Sequence, residues 1–230
     1  MQAREKILLI VFAIASLGNL VAMHFYSTEL DYLTKPLLLI SLLVAWQSTQ
    51  QPSNPFSKSI AGAFLFSWFG DLLLMLASSP LNNQIPFFIL GLGSFLVAHL
   101  FFIRAFWLWK GARRGIIQLK PWLLLPFLLF WVLLIYLVWP GLGDLRIPVL
   151  AYSLVIIVMT ASAHNLVNLL TTPHYWYLSI GTIMFVLSDG LIAINKFTAL
   201  LPPAPFWIML TYIVAQYLIY LGAKGIARSN

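Results

Sequence analysis

Eight times along its 230 residues, this chain stays apolar for long enough to cross, or nearly cross, a lipid bilayer. The runs lie near residues 7–24, 33–47, 60–78, 86–108, 122–139, 147–170, 176–198 and 204–223. A hydrocarbon core about 30 Å thick takes about 20 helical residues at 1.5 Å each, and the second run is the shortest of the eight. In lipid, each backbone N–H and C=O must be bonded inside the protein, so spans of this length are helices. The expected fold is therefore all-α: a polytopic integral membrane protein with eight transmembrane helices.

Composition excludes the soluble alternative. Only 8% of the residues are charged, against about 25% in soluble domains. There is no cysteine, hence no disulfide, no thiolate chemistry and no Cys-ligated metal. The N-terminal MQAREKILLIVFAIASLGNLVAMHF has the basic start and apolar run of a signal peptide. However, Ile7 to Met23 is long enough to span and no small-x-small cleavage site follows, so it reads as a retained first helix. The breaks between runs (QSTQQPSNPFSK, SSPLNNQ, KGARRGIIQLK, PGLGDLR, TTPH and the cluster Pro202, Pro203, Pro205) are short. They predict one transmembrane domain over residues 1–230 without a soluble appendage.

The basic residues predict the orientation. Nine of the 13 (Arg4, Lys6, Lys58, Lys110, Arg113, Arg114, Lys120, Lys224 and Arg228) fall on the side of the N-terminus, and only Arg146 falls opposite. Lys35, Arg104 and Lys196 lie within or at the ends of spans. The positive-inside bias puts both termini in the cytoplasm. It also accounts for the basic segment 110–120 as a topology determinant, so the net charge of +7 implies membrane lipids and not nucleic acid as partners. A bacterial inner (cytoplasmic) membrane is the expected location.

Six acidic residues are present, and their placement is the chemical signal. Glu5 is N-terminal, Glu29 and Asp31 are expected in the first outer loop, and Asp144 in the loop PGLGDLR. Asp71 and Asp189 lie inside spans, in FSWFGDLLLML and GTIMFVLSDGLIAINKF. A carboxylate at a helix centre costs roughly 2.5–3.5 kcal/mol on insertion scales, so such residues are functional candidates by default. Both helices are odd-numbered and run in the same direction. Asp71 is about 11 and Asp189 about 13 residues from its cytoplasmic end, about 17 and 20 Å at a 1.5 Å rise. If the two helices pack near each other, the carboxyls can converge.

A parallel four-plus-four repeat is consistent with this spacing. Helices two (KPLLL) and six (IPVLAYSL) each have an entrance proline, helices three and seven carry Ser and Asp, and helices four and eight carry His99 and Gln216 at comparable steps. Gly62, Ala63, Ser67 and Gly70, with Gly181 and Gly190, permit close helix approach. Ser67 shares a face with Asp71 four residues later. Ser188 is adjacent to Asp189, so it faces elsewhere and is placed to bond its own helix backbone.

Several readings compete for the paired acids. One is a packing-only role, with Lys35 or Lys196 as counter-charge. A metal site is disfavoured, because His24, His99, His164 and His174 show neither HxxxH nor HExxH spacing. An intramembrane aspartyl protease would need GxGD, but Trp68 stands where that glycine belongs, and PPAPF lacks the PAL tripeptide. A proton-coupled small-solute or lipid transporter would use the acids as relays. A lipid hydrolase would use one as proton donor and the other as base or charge stabiliser.

Six segments in order then carry a resemblance: LTKPLLL (33–39), FSWFGDLLLML (66–76), GLGSFLVAHLFFI (91–103), PVLAYSLVIIVM (148–159), GTIMFVLSDGLIAINKF (181–197) and TYIVAQYLIYLGA (211–223). Over about 80% of its length the chain resembles the YhhN-type lysoplasmalogenase family of eight-helix membrane proteins. The resemblance implies hydrolysis of the vinyl-ether bond of a lysophospholipid, a lysoplasmalogen with an ethanolamine or choline head group, giving a fatty aldehyde and a glycerophospho-head group. It implies neither metal nor organic cofactor. Asp71 and Asp189 would be the catalytic pair. Lys35, Ser67, Tyr152, Asn195, Tyr212 and Gln216, polar residues of the family-like segments, would orient the acids, the water or the head group. A single-chain lipid substrate implies a lateral opening in place of a water-filled channel. The transporter remains the alternative.

Overall fold

Local signals set the helix ends. Pro55 opens one helix with an N–H-free first position, and the Asn54 side chain caps it by accepting the Phe56 N–H at 2.9 Å. The computed structural model describes residues 3–49, 54–78, 84–170, 172–198 and 202–228. Among these residues there is no strand, and eight long helices follow one another: α1 (Ala3–Phe25), α2 (Thr28–Thr49), α3 (Pro55–Ala77), α4 (Gln84–Lys110), α5 (Leu125–Val138), α6 (Arg146–His164), α7 (Thr172–Phe197) and α8 (Ala204–Arg228). One helical turn, Ile116–Leu119, precedes α5, and 3₁₀ turns at Pro121–Leu124 and Trp139–Gly141 extend it at both ends.

Seven stretches, those of α1 and α3 to α8, are long and apolar enough to cross a membrane. This makes the chain a multi-pass integral membrane protein; among the described residues, seven of the eight expected spans meet that measure. The difference is α2. It is 22 residues long, but Glu29 and Asp31 occupy its first turn and Lys35 follows. The two acids therefore belong to a helix and not, as expected, to an outer loop. Hydropathy misplaced the boundary because the polar start of α2 is held by α1. Asn19 donates to Asp31 Oδ1 at 2.8 Å and to Thr34 Oγ1 at 3.2 Å, one residue from Gly18, which lies against the Thr34 methyl. Asn19→Ala should cost about 1–3 kcal/mol, since it removes both bonds from partly buried acceptors. Thermal unfolding in detergent reads this directly.

By contacts the chain divides into two compact units, residues 1–105 and 106–230. In the first, indole N–H groups fasten α2 to α3: Trp46 donates to the Ser57 carbonyl at 3.0 Å and Trp68 to the Pro36 carbonyl at 2.8 Å. Small residues then admit aromatic rings between α3 and α4. Gly62 lies against Phe101 and Gly70 against Phe95, while Ser94 donates to the Phe66 carbonyl at 2.6 Å. Phe64 and Phe102 meet edge to face at 6.0 Å within the same layer.

In the second unit α7 and α8 form the tightest pair. Gly181 faces the Ala215 carbonyl and Ile219 N–H, and Gly222 faces the Leu178 backbone. Ser188 donates to the Ile208 carbonyl at 3.0 Å, so its hydroxyl serves the neighbouring helix and not its own backbone. Helix α6 joins α7 through Thr160 Oγ1, 3.4 Å from the Thr182 carbonyl. Helix α5 is peripheral: Val138 is its one buried residue, and Trp131 ties it to Ser153 of α6 at 2.9 Å.

Candidate active site

Asp71 and Asp189 fall one in each unit, at matching positions along their own helices. Asp71 lies 16 residues into α3 from Pro55, and Asp189 lies 17 into α7 from Thr172. Both helices begin earlier than hydropathy predicts, so both acids are further along than expected, by similar amounts.

The surroundings of Asp71 are closed. It is 3% exposed, one residue from Gly70 with the Phe95 ring against it, and three from Trp68, whose indole is bonded to α2. Ser67 shares the helix face, is fully buried, and its hydroxyl has no hydrogen-bond partner among the described residues. Lys35 is half-buried on α2. His99 of α4 is also fully buried.

The surroundings of Asp189 are more open and more polar. Its carboxylate is half-buried and accepts a hydrogen bond from the Tyr152 hydroxyl of α6. Tyr152 is itself buried and is followed by Ser153, which donates to the Leu150 carbonyl and accepts the Trp131 indole N–H of α5. Gly190 looks across at Phe130 and Leu134 of α5, whose side chains would lie 3.8–3.9 Å from a Cβ there. Helix α5 therefore meets α7 with apolar side chains at the residue after this acid, and Val138 is its one buried residue.

The remaining candidates lie at graded distances from Asp189. Tyr212 packs edge to face on Phe185 at 5.5 Å, one α7 turn before Asp189. Taking the Ser188–Ile208 bond as the level of the acid, Gln216 is eight residues along α8, about 12 Å away. Its side chain is fully buried, and neither amide atom has a hydrogen-bond partner among the described residues. Asn195 is half-buried near the end of α7, and Lys196 beside it is exposed. The structure thus brings Tyr152 to Asp189, puts Tyr212 within a turn and leaves Gln216 two turns off. Ser153 and Trp131 were not singled out from sequence; a serine beside Tyr152 gives no signal until its partner on α5 is known. Among the described residues no group of three or more His, Asp or Glu side chains is placed to hold a metal.

Comparisons with known proteins agree on one family. A model of the YhhN family matches residues 30–223. The human protein named lysoplasmalogenase TMEM86B is 30% identical over 187 residues, covering 81% of this chain and 72% of that protein. The pig protein of the same name is 32% identical over 194 residues, 84% of this chain and 74% of its own length. The mouse protein of that name is 30% identical over 190 residues, 80% of this chain and 71% of its length. No solved structure matches the chain.

Proposed function

The chain belongs to the YhhN family, and from that premise we propose that it is a membrane hydrolase that cleaves the vinyl-ether bond of lysoplasmalogens, with Asp71 and Asp189 supplying the acid–base chemistry. The observation that carries the reading is the pair of intramembrane carboxylates at matching helix positions, one closed off and one held by a tyrosine. Relatives named for this activity, about 30% identical over most of both chains, support the substrate class.

Vinyl-ether hydrolysis begins with transfer of a proton to the carbon β to oxygen. The alkene π electrons form the new C–H bond, and the oxygen lone pair stabilises the resulting oxocarbenium ion. Water adds to the cationic carbon and loses a proton, giving a hemiacetal. The hemiacetal then breaks its C–O bond to the glycerol, releasing aldehyde and alcohol. The reaction needs a carboxylic acid to give the first proton and a carboxylate to stabilise positive charge, as in glycoside hydrolysis. Two carboxyls meet both needs, one giving the proton and the other bearing the negative charge.

The half-buried Asp189, beside the residue where α7 meets the exposed helix α5, suits a single-chain lipid arriving sideways from the bilayer. The orphaned Ser67 hydroxyl and Gln216 amide suit water or the glycerophosphate. Tyr152 acts as a positioning residue that fixes the Asp189 carboxylate. Tyr152→Phe should lower kcat about 10–100-fold, the worth of one hydrogen bond to a charged group. KM should stay nearly constant, and steady-state kinetics separate the two.

The reading is tested with purified protein in detergent, offered a lysoplasmenyl lipid and its saturated alkyl-ether analogue. Aldehyde should appear from the first alone, because the second has no π bond to protonate. Protein that releases no aldehyde yet carries protons or solute into liposomes would favour the transporter.

A further inference from the structure

The segment from the end of α4 to the start of α5 carries Lys110, Arg113, Arg114 and Lys120, and no acid occurs anywhere between Asp71 and Asp144. It is a built surface, not a loose loop. Asn165 clamps it from the end of α6, its carbonyl accepting Ile116 N–H at 3.1 Å and its side chain accepting Ile117 N–H at 2.9 Å. Asn168 donates to the Arg114 carbonyl at 3.1 Å. Gly115 fits because a Cβ there would collide with Asn165. Two of the four charges brace the fold: Lys110 donates to the Arg113 carbonyl at 2.7 Å, and the Arg113 guanidinium lies over the Trp109 ring at 4.1 Å.

Arg114 and Lys120 are different. Both side chains are exposed, and the acidic residues of their unit among those described, Asp144 and Asp189, lie far along the helices. Asp144 precedes α6 and the clamp follows it, a separation of 19 residues or about 28 Å. Asp189 is held by Tyr152, 13 residues from Asn165 along the chain, about 20 Å. Both spacings exceed the Debye length of about 8 Å at physiological salt. Trp107 and Trp122, each more than 60% exposed, flank the segment, and exposed tryptophans of this kind sit at the headgroup level.

We propose that residues 110–122, clamped by Asn165 and Asn168, form a preformed docking surface for anionic phospholipid headgroups, selected by Arg114 and Lys120. Backbone clamping fixes the two cations before lipid arrives, so little ordering cost is added on binding. Since the clamp lies at the end of α6, the helix that carries Tyr152, an occupied surface steadies that helix from its base.

Phosphatidylglycerol titrated into phosphatidylcholine-containing micelles, with retained lipid counted by native mass spectrometry of the full chain, tests this. Basic side chains near a membrane contribute about fivefold each to anionic-lipid affinity, so R114Q/K120Q should weaken phosphatidylglycerol binding roughly 30-fold. Retained phosphatidylcholine and the thermal midpoint without phosphatidylglycerol should not change, and the charge-keeping R114K/K120R should bind as wild type does. On the wild type, raising NaCl from 50 to 500 mM should weaken phosphatidylglycerol severalfold, and millimolar inorganic phosphate should not displace it. Equal phosphatidylglycerol retention by R114Q/K120Q, salt-insensitive binding, or displacement by inorganic phosphate would each overturn the proposal.

Discussion

Asp71→Asn and Asp189→Asn should each lower kcat for aldehyde release by about 10²–10⁴-fold, the usual range for loss of a positioned acid or base. Asparagine keeps the shape of aspartate and its ability to accept a hydrogen bond. It can neither protonate carbon nor place a negative charge beside an oxocarbenium ion. Folding should survive the change. Asp71 is 3% exposed, and asparagine fills the same volume there, so the packing around it is kept. At position 189 the Tyr152 hydroxyl can still donate, to the amide oxygen. The thermal midpoint of either variant should therefore stay close to that of the wild type. A near-normal rate in either variant would remove that residue from the chemistry.

Gly181→Val should lower the thermal midpoint by about 5–10 °C, corresponding to about 2–3 kcal/mol of overpacking. A Cβ at this position would stand 2.9 Å from the Ile219 backbone nitrogen and 3.1 Å from the Ala215 carbonyl oxygen. Backbone atoms cannot rotate aside, so α8 must move away from α7. Gly222, whose Cβ would lie 2.9 Å from the Leu178 nitrogen, prevents a simple pivot about the neighbouring turn. The displacement would also loosen Tyr212 from Phe185, one turn from Asp189, so activity should fall with stability. Gly93→Ala is the control, since nothing lies within 4 Å of a Cβ there. Differential scanning fluorimetry of both variants distinguishes close packing from a general intolerance of change at helical glycines.

Hydropathy alone located the long helices, because a run without charges in lipid has one way to satisfy its backbone. It failed at α2. The polarity of Glu29 and Asp31 reads as loop, and the compensating Asn19 is on another helix. Asp71 and Asp189 stood out as candidates because an isolated charge in an apolar run is visible locally. The partner of Asp189 was less legible. Tyr152 could be named from its segment, but the pairing spans 37 residues and depends on how α6 rotates against α7. Trp131, Ser153 and the clamp by Asn165 carried no local signal, since ordinary polar residues acquire meaning only from a contact made elsewhere in the chain.

Protonation of carbon by a carboxylic acid leaves a mark on the product. When the purified chain turns over a lysoplasmenyl lipid in D₂O, the released aldehyde should carry one deuterium at carbon 2, seen by mass spectrometry as a one-unit increase. The wild type should give this labelled aldehyde, and Asp71→Asn and Asp189→Asn should give almost none. Unlabelled aldehyde, or labelled aldehyde released at the wild-type rate by either variant, would contradict acid–base catalysis by these two aspartates.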